Sequence, residues 1–245
     1  MSRKLEFLCH AAHVWSLVLL CDGRLCSAAS DCNIRVWDAA AARCEVDWNM
    51  GEVVTSLIQL RDGTICCYGM ASKCVFLLRL GRRSCDRQRF SELESCVLAL
   101  VELVDGSLCS GCEDGTIRLW DMSSGVCVEV FSGHAGCVWS IVQLRDGTIC
   151  SGSSDCTVRV WNPADGRCKV ALSGHAASVQ VVAALQDCRV CSGSKDATIR
   201  IWNIATENCE RVLLGHRGTI TSLFQLSDGR VCSGAADKTI CLWSC

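Results

Sequence analysis

The stretch Gly133 to Asn162, GHAGCVWSIVQLRDGTICSGSSDCTVRVWN, returns 41 residues on as GHAASVQVVAALQDCRVCSGSKDATIRIWN from Gly174 to Asn203, and again as GHRGTITSLFQLSDGRVCSGAADKTICLWS from Gly215 to Ser244. A repeat of this length sets the architecture before any single residue is read. Its copies can be counted by an aspartate six residues ahead of a tryptophan: Asp31 and Trp37, Asp114 and Trp120, Asp155 and Trp161, Asp196 and Trp202, Asp237 and Trp243. The gap between Trp37 and Trp120 holds one more copy, with Ser72 and Leu78 at the register positions and Asp62-Gly63-Thr64 as its turn, which makes six.

Apolar residues alternate within each copy in short runs, as in Val138-Trp139-Ser140-Ile141-Val142. Period two over such a run predicts a strand, and Asp-Gly between two runs predicts a hairpin. About four short antiparallel strands per copy, repeated at this period, describe a propeller blade. The predicted fold is all-β: a six-bladed β-propeller in one domain, residues 1–245, with an incomplete seven-bladed ring as the alternative. Its blades run over about 10–48, 49–90, 91–131, 132–172, 173–213 and 214–245. The last ends one strand short, so the N-terminal strand Lys4 to Leu8 is expected to complete it and close the ring.

The chain has 245 residues and a formal charge of −2, which gives no electrostatic reason to expect nucleic acid or an anionic membrane. Its one basic cluster, Arg79, Arg82, Arg83, Arg87 and Arg89, reads as a solvated loop or edge strand. The apolar run Val14 to Cys21 is too short to span a membrane and matches the first strand of the repeat, so it is read as a strand and not a signal peptide.

Of the 23 cysteines, Cys26, Cys67, Cys109, Cys150, Cys191 and Cys232 stand five residues before the Asp position, and Cys44, Cys85, Cys127, Cys168 and Cys209 seven after the Trp position. One thiol per equivalent site is unsuited to bridging, so these are expected to pack as free small hydrophobes. Residues three apart on a strand face opposite ways, so neither Cys109/Cys112 nor Cys188/Cys191 is expected to bind zinc, and no cofactor or metal is predicted. Free thiols in this number imply a reducing compartment, the cytoplasm first and the nucleus second.

The Gly-His pair, the later Asp and the closing Trp-Asp or Trp-Asn, at constant offsets over nearly the whole chain, resemble the WD-repeat family of β-propellers. That resemblance implies a hydrogen-bonded His, Ser, Asp and Trp inside a blade. Here the sets are His10, Ser27, Asp31, Trp37; His134, Ser151, Asp155, Trp161; His175, Ser192, Asp196, Trp202; and His216, Ser233, Asp237, Trp243. Four recurrences of one set argue for a brace and against a catalytic triad, and no catalytic residue is predicted. Blade two, read with Gly51, Tyr68, Ser72 and Leu78 at these positions, is expected to be the weakest, and blade three has Leu93 for its His.

The resemblance also places partner contacts on the face bearing the His loops, three and five residues after the His and one before the Asp. These are His13, Trp15 and Ser30; Val54, Ser56 and Ala71; Cys96, Leu98 and Glu113; Cys137, Trp139 and Ser154; Ser178, Gln180 and Lys195; Thr219, Thr221 and Ala236. Trp15 and Trp139 are the expected anchors. The arginines two before each Trp (Arg35, Arg118, Arg159, Arg200) are read as solvent-side strand residues. The functional expectation is a non-catalytic, monomeric scaffold for protein or peptide segments, alone or as a subunit of a larger complex. The alternative is a ligand-binding or catalytic propeller using its central channel, whose innermost strands offer Glu102 as their only ionisable residue.

Overall fold

The structure is a computed structural model that describes residues 10–41, 43–79 and 95–244. The expected strand at Lys4 to Leu8, Leu93, Cys85 and most of the basic cluster lie outside the described residues. Two compact units, residues 1–97 and 98–245, are taken in turn.

The first unit holds two antiparallel sheets. One has four strands, β1 (Val14–Leu19), β2 (Leu25–Ala29), β3 (Asn33–Asp38) and β4 (Arg43–Asn49); the other has three, β5 (Val54–Gln59), β6 (Ile65–Gly69) and β7 (Cys74–Leu78). One apolar cluster joins them, including Ile34, Val36, Trp48, Met50, Leu57, Cys67, Phe76 and Leu78.

The second unit holds four sheets, each a meander in chain order. The first is β8 (Val97–Glu102), β9 (Leu108–Cys112), β10 (Ile117–Asp121) and β11 (Val126–Phe131), and the next β12 (Val138–Gln143), β13 (Ile149–Ser153), β14 (Thr157–Trp161) and β15 (Cys168–Ser173). The last two are β16 (Val179–Ala184), β17 (Arg189–Ser194), β18 (Ile199–Asn203) and β19 (Asn208–Leu213), then β20 (Ile220–Gln225), β21 (Val231–Ala235) and β22 (Ile240–Trp243). Six blades of three or four antiparallel strands, with no helix among the described residues, make this the expected all-β propeller architecture.

Successive sheets of the second unit pack by a small residue against a branched one. A Cβ placed on Gly152 would lie 2.6 Å from Val179 Cγ1, and one on Gly193 2.4 Å from Ile220 Cγ2, so only glycine lets these sheets approach so closely. On the last sheet a Cβ on Gly234 would meet, among the described residues, only Ser222, at 3.8 Å, and Phe224, Ile240 and Leu242 are exposed.

A glutamine at the end of the first strand ties one sheet to the sheet before it. Gln59 Oε1 accepts from the Cys21 N–H in the first unit; Gln143 accepts from the Val104 N–H and Gln225 from the Gln186 N–H in the second, each at 2.7 Å. Each carboxamide then donates to a carbonyl four residues on, at Gly63 (3.3 Å), Gly147 (3.1 Å) and Gly229 (3.0 Å).

The cysteine expectation divides. Cys26, Cys109, Cys150 and Cys191 on the second strands are buried, and burial pushes the Cys26 thiol up to about 12. The outer-strand set differs: Cys44 and Cys168 are exposed, and Cys127 and Cys209 half-exposed. The outer strands shift register at the tryptophan, as between Val160 and Trp161, and each of these thiols turns back to the carbonyl two residues on, 3.3 Å for Cys168 to Val170. No disulfide forms among the described residues.

Candidate functional site

In the first blade and the last three, the His, Ser, Asp and Trp meet as one chain of hydrogen bonds. In the fourth blade Trp161 Nε1–H donates to Ser151 Oγ at 2.8 Å, Ser151 Oγ lies 2.7 Å from His134 Nε2, and His134 Nδ1 lies 2.8 Å from Asp155. The other three have the same order, with Trp to Ser at 2.7 to 2.8 Å. Indole N–H can only donate, so Ser Oγ accepts it, and a carboxylate can only accept, so Nδ1 carries the proton given to the Asp. Where burial keeps the ring neutral, as at His134 and His175, Nε2 then accepts the Ser Oγ–H. The N–H of the residue after each His adds a donor to the same Asp, as Ala135 does to Asp155 at 3.0 Å.

Electrostatics agree with that direction. Burial holds the His134 and His175 pKa values below the usual histidine value, against the pull of Asp155 and Asp196. Burial also works against charge on Asp155, but hydrogen bonds from Thr157, His134 and the main chain outweigh it and hold that carboxyl at about 2. Thr157, Thr198 and Thr239, two residues after the Asp, each donate Oγ1–H to it at 2.6 to 2.7 Å. Sequence reasoning missed this fifth member, although its constant offset was visible.

The third blade keeps the Trp120 to Ser110 bond at 2.9 Å and holds Asp114 with Thr116 and Arg118. The arginines two before each Trp are not simply solvent-facing. Arg35 pairs with Asp31 and Asp47, Arg118 with Asp114, and the Arg200 guanidinium lies 5.9 Å from the Trp202 ring centre.

Blade two requires a correction of register. Leu57 pairs with Cys67 as Ile141 pairs with Ser151, so Cys67 and not Tyr68 takes the serine position; Cys66, opposite Ile58, takes the repeating cysteine position. By the same register Met50 and not Gly51 stands where His134 stands, while Leu78, opposite Ile65, keeps the tryptophan position. One extra residue in the turn after β6 absorbs the difference. The brace is thus replaced by Met50, Cys67 and Leu78, all buried in one apolar cluster. Glu52 serves the turn, its Oε2 accepting from the Ser72 N–H at 2.8 Å.

The slip also corrects the face. A one-residue shift moves every side chain to the other side of a strand, and Val54 and Ser56, expected on the face, are buried at 1% and 8% exposure. Val53, Thr55 and the exposed Met70 stand there instead.

The remaining face positions lie where loops leave the braces. In the first unit Trp15 is 51% exposed, its Nε1–H held by Ser30 Oγ at 2.7 Å and its ring 4.7 Å from His13; Ala71 is exposed and Cys96 half-buried. In the second unit Trp139 is half-buried and donates to Ser154 Oγ at 2.6 Å. Ser178 continues that chain to Ser154 at 3.4 Å and accepts from Gln180 at 2.7 Å. Glu113, Lys195, Thr221 and Ala236 are exposed there, and Leu98, Cys137 and Thr219 half-buried. Trp15 and Trp139 are each the extra residue of a β-bulge on the first strand, which turns the indole out of the pleat. No group of three His, Cys, Asp or Glu able to hold a metal gathers among the described residues, and no described helix is long and apolar enough to cross a membrane.

Comparison with known proteins follows this geometry closely. Residues 2–38, 89–121, 125–162, 166–203 and 207–244 match the WD40 family, described as WD domain, G-beta repeat; the one long stretch left unmatched, residues 39–88, contains blade two. Mitochondrial division protein 1 of Vanderwaltozyma polyspora is 28% identical over 114 residues, 45% of this chain, and the match spans only 12% of that protein. The crystal structure of the computationally designed Ika8 protein is similar over 96% of this chain and 72% of its own, with 30% identity and a TM-score of 0.78. Five matched repeats covering well over half of the sequence place the chain in the WD-repeat, G-beta repeat family.

Proposed function

We propose that the protein is a non-catalytic scaffold whose His-loop face binds peptide or protein segments. The observation that carries this reading is the pair of bulge tryptophans, each with its one polar atom already bonded to a neighbouring serine. An indole so fixed offers a rigid apolar surface at low entropic cost, the character of an interface anchor. The His-Ser-Asp sets support it from the other side. Each Ser Oγ is buried under a Trp N–H, where a substrate carbonyl has no approach, and the same set recurs in four blades, which favours a brace over a nucleophile. Few formal charges on the face favour a protein segment over a polyanion. The free thiols favour a reducing compartment, the cytoplasm first.

The test is affinity capture with the wild type, Trp15→Ala, Trp139→Ala and the double variant, each shown to be folded by circular dichroism. Loss of a specific partner with either indole supports the reading. Capture of the same partners by the double variant overturns the assignment of the face.

A further inference from the structure

The geometry points to a binding site for a primary carboxamide in the cavity between the turns of the fourth and fifth blades. This site lies at the end of the sheets opposite the His loops and does not depend on the face proposed above. Gln143 and Gln225 each bridge to the preceding sheet by accepting from its turn N–H and donating to a carbonyl of their own turn. Ala184, opposite Val190 as Gln143 is opposite Ile149, holds that register position in the fifth blade and has no carboxamide to offer. The two main-chain groups such a side chain would join are the Arg145 N–H and the Cys188 carbonyl. Neither has a hydrogen-bond partner among the described residues, whereas their counterparts at Val104 and Gly147 do.

Between them lies a cavity of about 430 Å³, lined by Leu144, Arg145, Cys188, Ile204 and Ala205 among others. That volume suits a small ligand. Its apolar wall is Leu144, Ile204 and Ala205; of its polar side chains Arg189 pairs with Asp187 and Glu210, Asn203 bonds Glu210 and Asp146 accepts from Thr148, while the exposed Arg145 side chain stands at the rim. The unclaimed pair is one donor and one acceptor, the pattern a primary carboxamide satisfies with its carbonyl and its NH2 group. A comparable cavity of about 460 Å³ between the first two blades is a built-in control, because there Gln59 already claims both groups. The ligand is either a small free carboxamide or the side chain of a glutamine in a peptide.

The test is a titration of the full chain with propionamide, N-acetylglutamine methylamide and N,N-dimethylpropionamide, followed by backbone amide NMR shifts. Saturable shifts are expected at Arg145, Cys188 and Arg189 with the two primary amides and not at Cys21 or Asp62. Binding should weaken by at least about tenfold in Ala184→Gln, which supplies the carboxamide in cis, a difference of about 1.4 kcal/mol. The tertiary amide, unable to donate, should bind at least about tenfold less tightly to the wild type, a comparison that needs no variant. Tighter binding by the glutamine derivative assigns the site to a peptide side chain, and tighter binding by propionamide to a free amide. Absence of saturable shifts, equal affinity in Ala184→Gln, or equal affinity for the tertiary amide overturns the proposal.

Discussion

Blades four and two solve one problem in opposite ways. In blade four the space between the first three strands holds a polar chain, Trp161 to Ser151 to His134 to Asp155, with every donor matched to an acceptor. In blade two the same space holds Met50, Cys67 and Leu78, buried together in one apolar cluster. A buried network is stable when it is complete, and so is its wholly apolar replacement; the costly state is half of each. The contrast teaches that the brace is a property of the set. Blade two, expected to be the weakest, has lost these polar members together and not one at a time.

Hybrids of the two should therefore show the largest effects. Ser151→Ala orphans both the Trp161 N–H and His134 Nε2, and should lower the opening free energy of blade-four amides by about 3 kcal/mol in hydrogen exchange. Cys67→Ser sets a hydroxyl into the apolar version and should cost blade two about 2 kcal/mol. If either variant exchanges like the wild type, the set is not cooperative.

Packing comes next in size. Gly152→Ala drives a methyl against Val179 and should cost about 2 kcal/mol, while Gly234→Ala, at the same repeat position with open space around it, should stay within about 0.5 kcal/mol by thermal or denaturant unfolding. Equal costs would mean that the sheet interface does not set the requirement.

Acid should separate the blades as well. Because the folded His134 and His175 have pKa values below the ordinary 6.5, the folded state binds fewer protons there than the unfolded chain. Stability is then lost as pH falls below about 6.5, where the unfolded histidines begin to take up protons. Asp155, held at about 2 against an ordinary 3.8, loses its contribution between those two values. Amides of blades four and five should lose protection between pH 7 and 5, and those of blade two, with no histidine, should not.

The smallest effect concerns the residue after the Asp. Cys156 has φ of 68° and Lys238 also 68°, where blade three has Gly115 at 81°. Cys156→Gly should raise stability by about 0.5 kcal/mol, the relief of left-handed strain being partly offset by glycine's entropy.

Much of this was legible in the sequence, because a polar set needs particular residue types and so leaves constant offsets behind. The His, Ser, Asp and Trp positions of blades one, four, five and six were readable for that reason, as were the Asp-Gly hairpins. Blade two was not, because an apolar replacement leaves no distinctive residue to count from, and one extra residue in its turn moved the alignment off Met50 and Cys67. Burial of Val54 and Ser56 follows from that slip. The glutamine ties were hidden for a different cause: they join neighbouring blades, and periodicity within one blade carries no information about contacts between two. Their signal was Gln59, Gln143 and Gln225, each three residues ahead of an Asp-Gly pair.

The most direct test is nitrogen-15 NMR of the imidazole rings at pH 7. The hydrogen-bond direction from Trp through Ser to His requires His134 and His175 to be neutral, with the proton on Nδ1 and Nε2 bare. An imidazolium, or a neutral ring protonated on Nε2, would contradict it and with it the account of the brace.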